Sequence, residues 1–225
     1  MGYAHSWYLD ERRMAKVRRA LPLIVADFKK FLPHLPPLAG PRGKGEAELG
    51  EGWVAFNGPE PESFEGFFFP DRGPYGLPPL VNPPWRFSFC KTGGQPYDLA
   101  VQVFLLLAKL RLGKAMRLSS DYPLADWAHA GELVEGVLGV PLDLPSLLGR
   151  TLVLFRDRNG KPFLYEATPD EVKGRQVRKR RLLEAVKRDM PPGLKPPVVL
   201  EGVGVDLPLK AIREKHMAWG FYTHS

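Results

Sequence analysis

Between residues 33 and 84 the chain sets 12 prolines and 9 glycines in 52 positions. Proline removes a backbone donor and fixes φ, and glycine weakens regular elements. This stretch therefore excludes long helices and long central strands, and predicts short strands joined by ordered turns. In it and just after it stand Trp53, Phe56, Phe64, Phe67, Phe68, Phe69, Tyr75 and Trp85. That is too much apolar surface for a solvated spacer, so the stretch reads as an insert within the fold. Trp53 to Asn57 and Phe64 to Phe69 are its expected strands. Over all 225 residues, 44% hydrophobic and 25% charged side chains keep the chain in the globular range and can fill a core.

Around the insert the pattern becomes regular. Gly2 to Leu9 places Tyr3, His5 and Trp7 on one side of an extended segment, and Asp10 can cap a helix directly after it. Glu11 to His34 has helical character, with Pro22 expected to kink or divide it and Leu21, Ile24, Val25, Phe28, Phe31 and Leu32 facing a core. Arg86 to Cys90, Pro96 to Leu112 and Ala115 to Ser119 read as strand, helix and strand, a βαβ unit. Its helix is apolar nearly all round and ended by Gly113. A helix over Leu124 to Leu138 comes next. Thr151 to Arg156 and Pro162 to Ala167 flank Asn159-Gly160, a hairpin signal. Thr168-Pro169-Asp170-Glu171 opens a helix from Pro169 to Met190 as a capping box, and Val198 to Val205 returns as a strand before a short helix over Pro208 to Met217. The fold class expected is α+β: a mixed β-sheet with a βαβ element, then a C-terminal β-hairpin and basic helix. The domains expected are 1–143, carrying the insert at 33–84, and a smaller basic subdomain over 144–225.

The net charge is +7, and 12 Lys and Arg against 5 Asp and Glu from Lys173 to Ser225 account for all of it. Localised basic charge suits phosphates. On a helix over Pro169 to Met190, Val172, Leu183, Val186 and Met190 share one side, and Lys173, Arg180 and Lys187 another, beside Arg181 and Arg188. Such a stripe tracks a nucleic-acid backbone or is a solvated face. The leading functional expectation is an accessory, non-enzymatic protein contacting DNA or RNA through Lys173, Arg175, Arg178, Arg180, Arg181, Lys187 and Arg188.

The rival expectation lies at the strand ends of the βαβ unit, where Lys91, Thr92, Gly93, Gly94, Ser119, Ser120 and Asp121 would gather if its strands are parallel neighbours. Two glycines, free N–H groups of a helix start and Lys91 suit an anion, with Asp121 as base or metal holder. Lys91, Thr92, Gly93, Gly94, Ser120 and Asp121 are the candidate ligand residues of an enzyme or binder for a phosphorylated or otherwise anionic compound. The plain alternative is a tight turn whose hydroxyls cap backbone groups. Asp98 reads as a helix-terminus charge or a base, and Cys90 as a buried small hydrophobe or a thiolate activated by Lys91. A third expectation is a protein-binding module using the aromatic insert.

The ordered set Gly2-Tyr3-x-His5-x-Trp7, Phe56-Asn57-Gly58, Phe89-Cys90-Lys91-Thr92, Pro96-Tyr97-Asp98, Ser119-Ser120-Asp121 and Asp126-Trp127 resembles a family of small uncharacterised proteins of bacteria and their phages, over about residues 1–138. The resemblance implies no established activity. Tyr122 and Gln95 stand where that family usually carries a glycine and a basic residue.

Several classes are set aside on composition. Cys90 is the single cysteine, which excludes an intrachain disulfide and a multi-thiolate zinc site. His5, His34, His129, His216 and His224 show no helical metal-binding spacing, so neither metal nor cofactor is expected. The longest apolar run, Leu99 to Ala108, falls short of the roughly 20 residues of a membrane span, and no secretory leader is visible, so a cytoplasmic location is expected. Three Asn and three Gln agree with a thermophilic source.

Overall fold

The computed structural model describes residues 4–70, 80–82, 84–156, 159, 162–167, 199–203 and 210. The expected helices over Pro169–Met190 and Pro208–Met217 therefore lie outside the described residues, save Lys210. The protein is α+β, and its chain divides into two compact units: residues 1–120 with 133–141, and residues 121–132 with 142–225.

The first unit is built on strands β1 (Ala4–Asp10), β5 (Leu80–Asn82), β6 (Trp85–Lys91) and β7 (Met116–Ser120), with helices α1 (Met14–Lys29) and α2 (Asp98–Leu112). The sheet order is β5-β6-β1-β7, and every pairing in it is antiparallel. The expected βαβ unit is present in its split form. β6 and β7 run parallel, but β1 lies between them, so they are not the neighbours the sequence led one to expect. Periodicity marks a strand; it says nothing about which strand inserts beside it.

The insert supplies β2 (Glu48–Leu49), β3 (Val54–Phe56) and β4 (Phe67–Phe69), a small antiparallel sheet of short strands. Its rings enter the core. Phe67 lies 5.2 Å from Trp7 of β1, 4.8 Å from Phe56 and 5.3 Å from Phe104 of α2 between ring centroids, and Phe28 of α1 lies 5.3 Å from Phe104. Each of these rings is buried, which is what the aromatic density of a proline-rich segment requires.

Pro22 does not divide α1, which runs unbroken through it. Proline leaves the carbonyl four residues earlier unpaired, and here that residue, Arg18, is exposed, so water can satisfy it. Asp10 accepts from the Arg12 N–H at 3.0 Å and caps a short 3-10 turn that precedes the helix. The Arg12 side chain bonded to it, outweighing burial, holds the Asp10 carboxyl below its ordinary pKa. α2 is buried along most of its length, and Gly113 ends it at φ 56°. Lys16 donates to the Leu112 carbonyl at 2.8 Å, and Asp27 of α1 pairs with Arg111 of α2.

In the second unit β8 (Thr151–Arg156) pairs antiparallel with β9 (Pro162–Ala167) on one side and with β10 (Val199–Val203) on the other. Buried Glu166 accepts from the Leu124 N–H at 2.9 Å and from Arg150. The four-residue helix α4 (Leu144–Leu147) is capped by Asp143, which accepts from Ser146 at 3.1 Å. Helix α3 (Leu124–Leu138) has its first residues, to Glu132, in the second unit and the remainder in the first. No helix among the described residues is long and apolar enough to cross a membrane.

Candidate functional site

The register of β1 sets His5 opposite Cys90 on one side and Ser120 on the other. Directly opposed residues of an antiparallel sheet share a face. These three therefore form a row across the inner face, at the end where β6 and β7 finish and β1 begins. Asp98, the first residue of α2, meets that row.

Asp98 is a hub of acceptors. Its Oδ1 lies 2.7 Å from His5 Nε2 and accepts from the Thr92 hydroxyl, and its Oδ2 accepts from Gln102 Nε2 at 2.7 Å. Ser120 Oγ lies 3.0 Å from the other imidazole nitrogen, His5 Nδ1. His5 and Thr92 are fully buried and Gln102 is 3% exposed, whereas Ser120 is half-buried. Among the described residues the relay thus runs from a carboxylate whose side chain is 12% exposed, through a fully buried ring, to the half-buried Ser120.

The donors fix its polarity. A carboxylate has only acceptors, so the hydrogen between His5 and Asp98 sits on Nε2. In the neutral ring this leaves Nδ1 as acceptor, and the Ser120 hydroxyl donates to it. That order, a hydroxyl donating to an unprotonated imidazole nitrogen whose opposite N–H is anchored by a carboxylate, is the arrangement that activates a serine. Thr92 and Gln102 fix the carboxylate in turn, Gln102 from one helical turn further along α2.

Neighbouring contacts hold this end of the sheet. Tyr97 donates to the Glu65 carbonyl at 2.7 Å, the Cys90 thiol donates to the same carbonyl at 3.4 Å, and the Lys91 N–H donates to the Glu65 carboxylate at 3.1 Å. Burial pushes the Tyr97 phenol well above its ordinary pKa, so it serves as a donor only. Asn57 donates to the carbonyls of Pro41 and Phe64 and accepts from the N–H groups of Gly58 and Phe64, which ties the segment leading to Glu65.

The sequence candidates fare unevenly. Thr92 is not presented to a ligand, since it is buried and spent on Asp98. Gly93 and Gly94 have φ of 62° and 73°, and Gln95 donates to the Thr92 carbonyl at 3.1 Å. Two positive φ angles in succession make this a type I′ turn, which by itself accounts for both glycines. Lys91 is exposed at the end of β6, with its ammonium 6.0 Å from the Phe89 ring centroid. Ser120 joins the relay, and Asp121 is exposed in the second unit. Cys90 is a buried thiol. Lys173, Arg175, Arg178, Arg180, Arg181, Lys187 and Arg188 lie outside the described residues.

His5 and Gln102 were not among the sequence candidates, and Asp98 was weighed mainly as a helix-end charge. The available signal was Asp98 and Gln102 at i, i+4 in a helix that is otherwise apolar from Leu99 to Ala108, a spacing that pairs polar groups within a buried face. Among the described residues no group of three or more His, Cys, Asp and Glu side chains is placed to hold a metal ion. Comparison with protein-family models, curated proteins and solved structures gave no match.

Proposed function

We propose that this end of the sheet is the active site of a hydrolase whose nucleophile is Ser120. The observation that supports the reading is the chain of contacts from the half-buried Ser120 through His5 Nδ1 and Nε2 to Asp98. Ser120 Oγ attacks the carbonyl carbon of an ester while its proton passes to His5 Nδ1. The tetrahedral intermediate collapses and expels the alkoxide, which takes that proton and leaves as the alcohol. Water then gives a proton to His5, attacks the acyl-serine and releases the acid, and His5 returns the proton to Ser120. Asp98 holds the ring in the required tautomer and balances the imidazolium that forms.

The test is reaction of the full chain with a fluorophosphonate, which captures activated serines, and then peptide mass spectrometry. The expected result is a label on Ser120, lost in Ser120→Ala and slowed by an order of magnitude or more in Asp98→Asn. A folded protein left unlabelled at Ser120 removes the reading.

A second proposal keeps the nucleic-acid expectation for Lys173 to Arg188, supported by the localisation of the whole net charge of +7 from Lys173 to Ser225. Charge reversal at Arg180, Arg181 and Lys187 abolishes binding if that segment carries it.

A further inference from the structure

The sheet whose inner face holds Ser120 turns a second kind of surface outward. Along β6 the residues that alternate with the inner row are Trp85, Phe87, Phe89 and Lys91, and their partners on β1 are Asp10, Tyr8, Ser6 and Ala4. On β7, Arg117 stands opposite Tyr8 and Ser119 opposite Ser6. Tyr8 packs on Phe87 at 5.0 Å and Phe87 on Phe89 at 5.8 Å between centroids, the latter pair only 25° from parallel. Two cations sit over this row: the Arg117 guanidinium 3.9 Å from the Trp85 ring and the Lys91 ammonium over Phe89. The four rings are half-buried, and Arg117, Ser119 and Lys91 are exposed.

We propose that this face binds single-stranded nucleic acid, its bases stacking on Tyr8, Phe87 and Phe89 and its phosphates meeting Arg117 and Lys91. Spacing selects the occupant. Alternate residues of a strand lie about 6.7 Å apart, whereas bases within a duplex stack about every 3.4 Å, so only a strand whose bases are unstacked and splayed matches successive rings. The 5.8 Å between Phe87 and Phe89 fits the wider step. Charge complements it, since both ions reaching these rings are positive, and arginine and lysine beside aromatic faces suit a phosphate chain threading past stacked bases. A four-stranded sheet that stacks bases on aromatic residues of its central strands is a known solution for single strands. Here β6 and β1 are those central strands. A purely apolar protein partner would bring nothing to meet Arg117, Lys91 and the intervening serines.

The experiment is a fluorescence-anisotropy titration of the full chain with oligo-dT, oligo-U and a duplex, each about 12 nucleotides long, at about 50 and 200 mM salt. Expected are single-strand binding at least about tenfold tighter than duplex, a loss of about tenfold or more in Tyr8→Leu or Phe87→Leu, and a salt slope shallower by about one in Arg117→Ala. The dT and U arms identify the sugar that is preferred. Arg117 and Lys91 are exposed, so their glutamate variants keep the test open should a ring variant unfold; these also must weaken binding. Equal or tighter duplex binding overturns the proposal. So does binding that survives the sheet variants and is lost only in the Arg180, Arg181 and Lys187 reversal, which would place it on the C-terminal segment. Absence of any binding overturns both surfaces and leaves the Ser120 reading untouched.

Discussion

Replacing Asp98 by alanine and by asparagine separates a sealed relay from a solvated cluster. In Asp98→Ala the His5 N–H, the Thr92 hydroxyl and a Gln102 N–H lose their common acceptor, and all three residues are buried. A buried donor left unpaired costs about 1–3 kcal/mol, so three sum to about 3–9 kcal/mol. For a domain of this size that lowers the melting temperature by about 6–36 °C. Asp98→Asn keeps every pairing. Its amide oxygen takes the place of Oδ1 and accepts from His5 and Thr92, while its NH2 takes the place of Oδ2 and donates to Gln102 once that amide turns over. Only the charge is lost, at about 1–2 kcal/mol. Both variants forgo the same favourable charge at the start of α2, so their difference isolates the unpaired donors. Urea denaturation monitored by circular dichroism should show the alanine variant less stable than the asparagine one by at least about 2 kcal/mol at equal m-value. Equal stability would mean that water reaches the three donors, and would refute the sealed relay.

Other consequences are narrower. Gly93→Ala and Gly94→Ala force a side chain onto φ of 62° and 73°, and each should cost about 1–2 kcal/mol in thermal melts; a neutral result would show that the turn relaxes freely. Phe67→Ala empties the space between Trp7, Phe56 and Phe104 and should cost about 3–5 kcal/mol by denaturation, whereas a loss below about 1 kcal/mol would mean that the insert does not belong to the core. Burial pushes the Asp27 carboxyl up, but hydrogen bonds and charge from Lys30 and Arg111 prevail and hold its pKa below the ordinary value. A carboxyl depressed in the folded state adds stability above its unfolded pKa of about 3.9 and loses it as pH falls through the folded value. The gap between parent and Asp27→Asn in urea should therefore be widest near neutrality and close in acid, and a gap independent of pH would contradict the ion cluster.

Much of the fold is written in local pattern. The all-round apolar run of α2, with Gly113 behind it, reports burial directly, and β8 and β9, which the Asn159-Gly160 pair separates in sequence, are paired antiparallel. The aromatic residues of the insert signal core membership because their surface must leave water. The site was less legible, for two physical reasons. Strand order is set by which faces bury together, so nothing near β1 announces that it enters between β6 and β7. A buried polar row is assembled across strands distant in sequence, with His5, Asp98 and Ser120 lying on three separate elements. His5 looked isolated because its partners lie 93 and 115 residues away. The outer aromatic row was visible as alternation along β6, but Tyr8 and Arg117 join it only through pairing.

The whole relay turns on which nitrogen of His5 carries the proton. Long-range 15N–1H correlation spectra of the folded protein at neutral pH distinguish the two neutral tautomers of an imidazole. The expected spectrum places the proton on Nε2, facing Asp98, and leaves Nδ1 to accept from Ser120. A proton on Nδ1 would make Ser120 the acceptor and remove the base on which the proposed chemistry depends.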